Sequence, residues 1–506
     1  FDLTFDSPRT TFQELLSLAS VFQNRMDGIT SDGKISFNGF VKGDYIPGTD
    51  SIPNFNVRLE VKDGSFKMNT VKDSIKDIHL DLMVSNNVGL FDSTEFEMDS
   101  IFLRIQEHAV QGHAHVHRLT NSVVDAALTG SLHVEEILEV YPFPGVNAEG
   151  ELNFNFEVEG NYSKIDANVQ LPHIDFDVDV SHGKLKYDSL PDSLSNITFH
   201  MAGHSPRGNW RDGKIEIEQL KMNVGDDPIN GRLTVENFIK PVFDGILTAD
   251  IHLEDILRIF PLDSTEMKGR LKAVVKIKGL YDSEVGAFPT VDADFSVKDG
   301  YLKLPEYPDP LEDVNVTASI RNKTGKIATT ILNIEQLAYK MAGESFTVRG
   351  KISDFENYAY DMSIKGSVDL GRLTSIYAID DWKLSGKVSC DLELKGKISD
   401  LKKGLYDKTE AIGYFQFQNL TIDGRRLPQA LVVSNGKIKV SPETLFLEDV
   451  NVRTGHSRLK FAGEMQDYFC FFKDDGDLVT STLKLDADTV DLNEWKLAFV
   501  SIDRDA

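Results

Sequence analysis

The sequence predicts a mainly β protein: an elongated antiparallel sheet of about four ~118-residue repeats, curled into a trough with an apolar lining, with one short helix per repeat. Three observations predict it. Residues 150–160, GELNFNFEVEG, set two glycines ten residues apart around strict alternation. Leu152, Phe154, Phe156 and Val158 point to one side of such a strand, and Glu151, Asn153, Asn155, Glu157 and Glu159 to the other. The same pattern returns as GKISFNGFVKG from Gly33, GRLKAVVKIKG from Gly269 and GKVSCDLELKG from Gly386, so the four leading glycines are 117, 119 and 117 residues apart. Between these strands nearly every segment also alternates, and helical spacing appears only once per repeat.

Composition narrows the function classes. The 506 residues contain no run of eighteen apolar side chains able to cross a bilayer as a helix. With 54 Lys+Arg against 80 Asp+Glu the formal charge is -26, which repels nucleic acid and anionic membrane surfaces. Two cysteines, Cys390 and Cys470, make no disulfide framework. Cys390 falls in the apolar row with Val388, Leu392 and Leu394 and reads as an inert buried thiol.

Taken in order, residues 1–28 read as the end of a preceding repeat, with an alternating start at Phe1–Phe5 and a helix carrying Phe12, Leu15 and Leu16. Four repeats follow, over 29–145, 146–264, 265–381 and 382–506. Each closes with a short amphipathic helix, marked by Val134, Ile137 and Leu138; by Leu253, Ile256 and Leu257; by Leu370 and Leu373; and by Leu492 and Trp495. The beginning and end inside a repeat predict that the segment belongs to a longer array. After each glycine strand a second alternating run ends at Gly64, Gly183 or Gly300 and restarts, which predicts a hairpin turned at that glycine. Further strands are expected at 75–84, 194–201 and 311–320, with others ending near Gly112, Gly231, Gly350 and Gly463. The fourth copy departs by an insertion around 401–411 and by a hairpin near Phe415, Phe417 and Gly424. The total is about seven strands per repeat, paired in sequential antiparallel order. At about 4.8 Å per strand, roughly 28 strands predict a rod on the order of 130 Å long.

An apolar strand row is ordinarily covered by a second layer. Here each repeat offers only one short helix for that purpose. A sheet of this length is therefore expected to hide its apolar side by curling across its width, leaving a slot suited to acyl chains. The expected groove lining is Ile35, Phe37 and Val41; Leu152, Phe154, Phe156 and Val158; Leu271, Ala273, Val275 and Ile277; and Val388, Leu392 and Leu394. Whether the trough is open or closed is left undecided by the residues.

The glycine strand, the segments HVEEILEVYPF, HLEDILRIFPL and DLGRLTSIYAI before it, and the stretch DADFSVKDGYLKLPEYPDPLEDVNVTASI at 292–320 resemble the AsmA family. The likeness is closest to its AsmA-like C-terminal region in Gram-negative bacteria, Bacteroidetes above all, and the plan is similar to TamB and to bridge-like lipid transfer proteins of repeating β-grooves. The resemblance implies a periplasmic segment of a protein anchored in the inner membrane through parts outside these residues. It implies phospholipid as the partner, conducted between inner and outer membranes in support of outer-membrane integrity, without enzymatic activity or cofactor. The alternative is a periplasmic scaffold or assembly factor whose end strands pair with outer-membrane proteins.

Other features read as surface. His113, His115 and His117 lie on one side of a strand with His108 near, but spacing fixes no fourth ligand for zinc, and a solvated outer face is expected. Asp175, Asp177 and Asp179 alternate opposite the apolar row without the turn spacing of a calcium loop. The run KDDGD at 473–477 reads as a turn. No phosphate-binding loop, nucleophile elbow, HExxH or dinucleotide fingerprint is present.

Overall fold

The computed structural model describes residues 2–10, 29–68, 75–140, 143–165, 168–188, 192–205, 209–259, 262, 264–305, 309–372, 382–424, 429–468 and 479–491. The helix expected around Phe12, the closing helix at Leu492 and Trp495, Leu373, Cys470 and the 473–477 turn lie outside them. The described residues are mainly β and divide into two units. One comprises 1–249, 258–261 and 277–289, the other 250–257, 262–276 and 290–506.

The first unit starts with β1 (Asp2–Thr10), β2 (Ile29–Lys42), β3 (Asn54–Met68), β4 (Ile75–Asn86), β5 (Glu95–Ile105), β6 (His108–His117), β7 (Asn121–His133) and helix α1 (Val134–Val140). It continues through β8 (Val146–Ile165), the three-residue β9 (Asn168–Gln170), β10 (His173–Tyr187), β11 (Leu194–Ser205), β12 (Lys214–Val224), β13 (Asp227–Glu236) and β14 (Val242–His252). From β1 to β14 the strands pair antiparallel in chain order, with β8 pairing both β9 and β10. Helix α2 (Leu253–Ile259) and β15 (Glu266–Leu280), like β14, contribute residues to both units.

The second unit runs through β16 (Thr290–Lys303), β17 (Leu311–Asn322), β18 (Ile331–Met341), β19 (Glu344–Ser353), β20 (Ala359–Asp369) and β21 (Trp382–Lys397). After the one-turn helix α3 (Ile398–Leu401) come β22 (Glu410–Gly424), β23 (Leu431–Val440), β24 (Thr444–Thr454), β25 (Ser457–Gln466) and β26 (Thr480–Thr489). From β16 to β26 every strand again pairs antiparallel with the next. The fourth-copy insertion places α3 and a turn at Tyr406–Lys408 ahead of β22.

Several expectations need correction, the fourth-copy hairpin near Phe415 and Phe417 among them, because β22 runs straight through those residues. The residues around Gly64, Gly183 and Gly300 form no hairpin, because β3, β10 and β16 run straight through them. The register slips there instead, between Val61 and Gly64, Val180 and Gly183, and Val297 and Gly300, and the preceding Asp63, His182 and Asp299 take φ near +50°. This is a β-bulge, which bends a strand without ending it. Gly112, Gly231, Gly350 and Gly463 likewise stand inside strands. Counting each bulged run as two strands is what inflated the expectation of seven per repeat; six long strands run from β2 to β7 and six from β21 to β26.

The bulge also explains the repeated leading glycine. Gly33, Gly150 and Gly269 have φ of +134°, +139° and +119°, and a Cβ on them would lie 2.6, 2.8 and 2.7 Å from the Cα of Gly64, Gly183 and Gly300. Two backbones approach too closely for any side chain. In the fourth copy Asn419 takes the positive φ and Leu420 the place of the second glycine, yet a Cβ on Gly386 would still lie 2.7 Å from Leu420 Cα.

Helices α1 and α2 are anchored to the same glycines. Glu135 Oε2 accepts the Gly150 N–H at 3.1 Å, and Glu254 Oε2 accepts the Gly269 N–H at 3.2 Å. Burial works to raise the Glu135 carboxyl, but the backbone donors and His133 outweigh it and hold the group below its usual range. At the same spacing before Gly386 the chain has Gly371, so that copy has no carboxylate to offer.

Candidate functional site: the apolar sheet face

Directly paired residues of neighbouring antiparallel strands point to the same side. In the first unit one such row runs from Ile35 through Val61, Leu80 and Ile101, across Gly112, to Leu128, Phe156 and Phe176. It then crosses Gly203 to Ile215, Val235 and Phe243. In the second unit a row runs from Val297 through Val316, Leu337, Val348, Ile364 and Leu392, across Gly413, to Val440, Leu445 and Met465. Period-two alternation on single strands thus adds up to an apolar face.

The expected lining residues of β2, β8 and β21 fall on these faces. Ile35 is 1% exposed, and Phe37 and Val41 follow it on the same side of β2. Leu152, Phe154, Phe156 and Val158 pair with Val180, Val178, Phe176 and Ile174. Leu271, Ala273 and Val275 alternate with exposed neighbours along β15 in the second unit, as Ile277 does in the first. Val388 pairs with Phe417; Leu392 packs with Val440 and Tyr468, and Leu394 against that cluster. Cys390 is half-buried beside them, and burial pushes its thiol up, away from reactivity.

The face is only partly covered. Phe156, in the middle of β8 with a strand on each side, remains 39% exposed, and its row neighbour Leu128 40%. Between β2 and β5 the surface deepens into a depression of about 260 Å³ lined by Ile35, Val61, Phe66, Ile75, Leu80 and Leu103. Ligand pockets for whole drug-sized molecules run from about 300 Å³ upward. This hollow falls just below that range, and the side chains named in its lining are apolar.

The opposite face is charged. Arg58 Nη2 meets Asp81 at 2.6 Å, His113 pairs with Asp125 at 3.3 Å, His115 with Asp99 at 3.2 Å and His117 with Glu95 at 3.4 Å. Asp177 and Asp179 meet His200 at 3.3 and 3.0 Å. The carboxylates that spacing alone did not supply to the histidines come from the neighbouring strands. Near β24–β26 a second hollow of about 400 Å³ is lined by Asn451, Arg453, Arg458, Lys460, Asp486 and Asp488, whose opposed charges suit water better than lipid.

On this charged side Arg270 Nε donates to Asp250 at 2.5 Å and Lys272 lies 3.1 Å away, which lowers the Asp250 pKa to about 2. A depressed carboxyl contributes stability above its unfolded pKa of about 3.9, lost as pH falls through the folded value. Local stability around Asp250 and Arg270 should therefore fall between about pH 4 and pH 2, seen as lost hydrogen-exchange protection corrected for intrinsic rates, and R270A should flatten that part of the curve. An unchanged slope in R270A would remove this pair from the acid response.

Sequence reasoning missed most of the lining. Val61, Leu80, Ile101, Val178, Leu337 and Val440 stand in the same rows but on strands without the paired glycines that singled out one strand per repeat. Their own alternation was the available signal. No described helix is long and apolar enough to cross a membrane. Set against models of known families, curated proteins and solved structures, the chain matches none.

Proposed function

We propose that this chain handles lipid, taking acyl chains on the apolar face of each unit and conducting phospholipid between the membranes of a Gram-negative envelope. One observation carries the reading: laterally paired apolar side chains persist strand after strand while residues such as Phe156 and Leu128 stay accessible. Burying acyl chain contributes about 0.8 kcal/mol per CH₂, or on the order of 12 kcal/mol for sixteen carbons fully covered. A face that covers half of the chain would still offset much of the cost of leaving a bilayer. Successive rows of similar side chains present sites of similar energy, so lipid slides without a deep trap and without nucleotide. The acidic opposite face keeps the protein in water. A periplasmic location, an inner-membrane anchor outside these residues and the absence of enzymatic activity belong to the same proposal.

The test is native mass spectrometry of the purified chain. Phospholipid should co-purify and be displaced by detergent. A chain that emerges empty and stays empty after incubation with phospholipid vesicles rules the reading out. A second reading, a scaffold for outer-membrane proteins, rests on β1 and β26, each of which has one paired neighbour among the described residues. It requires capture of a client strand at these edges.

A further inference from the structure

On the charged face of the first unit, two imidazoles and one carboxylate from neighbouring strands converge. Asp175 in β10 stands directly opposite His204 in β11, and His173 lies two residues before Asp175 on the same side of the strand. His204 Nδ1 contacts one oxygen of the Asp175 carboxylate and His173 Nε2 the other. The three candidate ligand atoms lie within 4.8 Å of one another. The rings meet edge to face with centroids 5.1 Å apart.

The second ring nitrogen of His173 sets this group apart from a plain ion pair. Its Nδ1–H donates to the Ser205 carbonyl at 3.1 Å, which fixes the ring with Nε2 aimed at Asp175. A backbone carbonyl that fixes the tautomer of a ligating imidazole is the usual outer support of a metal site. By contrast Asp125, which also faces two imidazoles, has the second at 3.9 Å.

We propose that His173, Asp175 and His204 bind a divalent transition metal, with zinc as the ion that best suits two imidazoles and a carboxylate. The ion replaces the hydrogen bonds between the rings and the carboxylate. The side chains are 35%, 37% and 51% exposed, so three protein ligands leave a coordination position open to water. The ion bridges β10 to β11 at the strand ends and lies on the face opposite the apolar row. The site stands whether or not the chain carries lipid.

The experiment is titration of the metal-free chain with ZnCl₂, followed by calorimetry, together with cobalt(II) absorption. Wild-type protein should bind one equivalent more than D175N or H204A, or bind that equivalent more than about tenfold tighter. H115A, on the same face, should behave as wild type. Cobalt should give visible bands of imidazole ligation in wild type that H204A loses. Far-UV circular dichroism checks that each variant keeps its strands, and the cobalt spectrum of wild type is an independent readout if one does not. Equal zinc stoichiometry and affinity in all three variants, or no imidazole bands in wild type, overturns the proposal.

Discussion

F154D should slow phospholipid transfer about a hundredfold while leaving the chain folded. Phe154 lies on the apolar face of β8, paired with Val178 on one side and Gly130 on the other, its ring 5.7 Å from that of Phe156. A lipid passing this point would have to bring hydrocarbon against an ionised carboxylate. Charged side chains at the centre of a bilayer cost about 2.5–3.5 kcal/mol on insertion scales. A barrier of that size slows passage about a hundredfold. Transfer of fluorescent phospholipid between vesicles measures it directly, with N155D as the control, because Asn155 points to the charged face. Wild-type transfer by folded F154D would remove the apolar row from the mechanism.

G150V should destabilise the region around β8 and β10 by about 3 kcal/mol, the sum of backbone strain at a positive φ and steric displacement. Gly150 has φ +139°, and its Cβ would lie 2.8 Å from Gly183 Cα and 3.1 Å from the Ser181 carbonyl, both backbone atoms that cannot turn aside. The loss should also release the Glu135 carboxylate from the Gly150 N–H. A chain of two units does not unfold in one step, so a single melting temperature is the wrong measure. Hydrogen exchange of peptides across 146–187 resolves the effect, and protection there should fall while that of β22–β25 holds. G145A is the comparison, since a Cβ at Gly145 meets nothing within 4 Å and only its φ of +77° is strained. Equal exchange in G150V and G145A would show that the close approach carries no weight.

Fold class was legible because strand alternation is a local property: Leu152, Phe154, Phe156 and Val158 show their common side without reference to any partner. The glycine spacing was legible as a repeat but not as a bulge. A glycine that ends a run and one that kinks a continuing strand look alike until the partner's register is known, as at Gly64 and Gly183. The lining was read on one strand per repeat, because only that strand carried a mark. The meeting of Asp175 with His204 was invisible for a different reason. Those residues are 29 positions apart, and which strand lies beside which, in what register, is decided by tertiary pairing.

The glycine contacts have a consequence for how such a chain can go wrong. Slippage of one residue would turn the greasy side outward, and it would also put a Cβ where only a bare backbone fits. Each copy carries the same index mark, so small errors are penalised at Gly33, Gly150, Gly269 and Gly386 alike. A strand that docks beside the counterpart of its true neighbour, 117 or 119 positions away, meets an equally good mark. Misassembly of this protein should therefore come in whole-repeat steps, as exchanged or skipped copies, and seldom as fine misalignment.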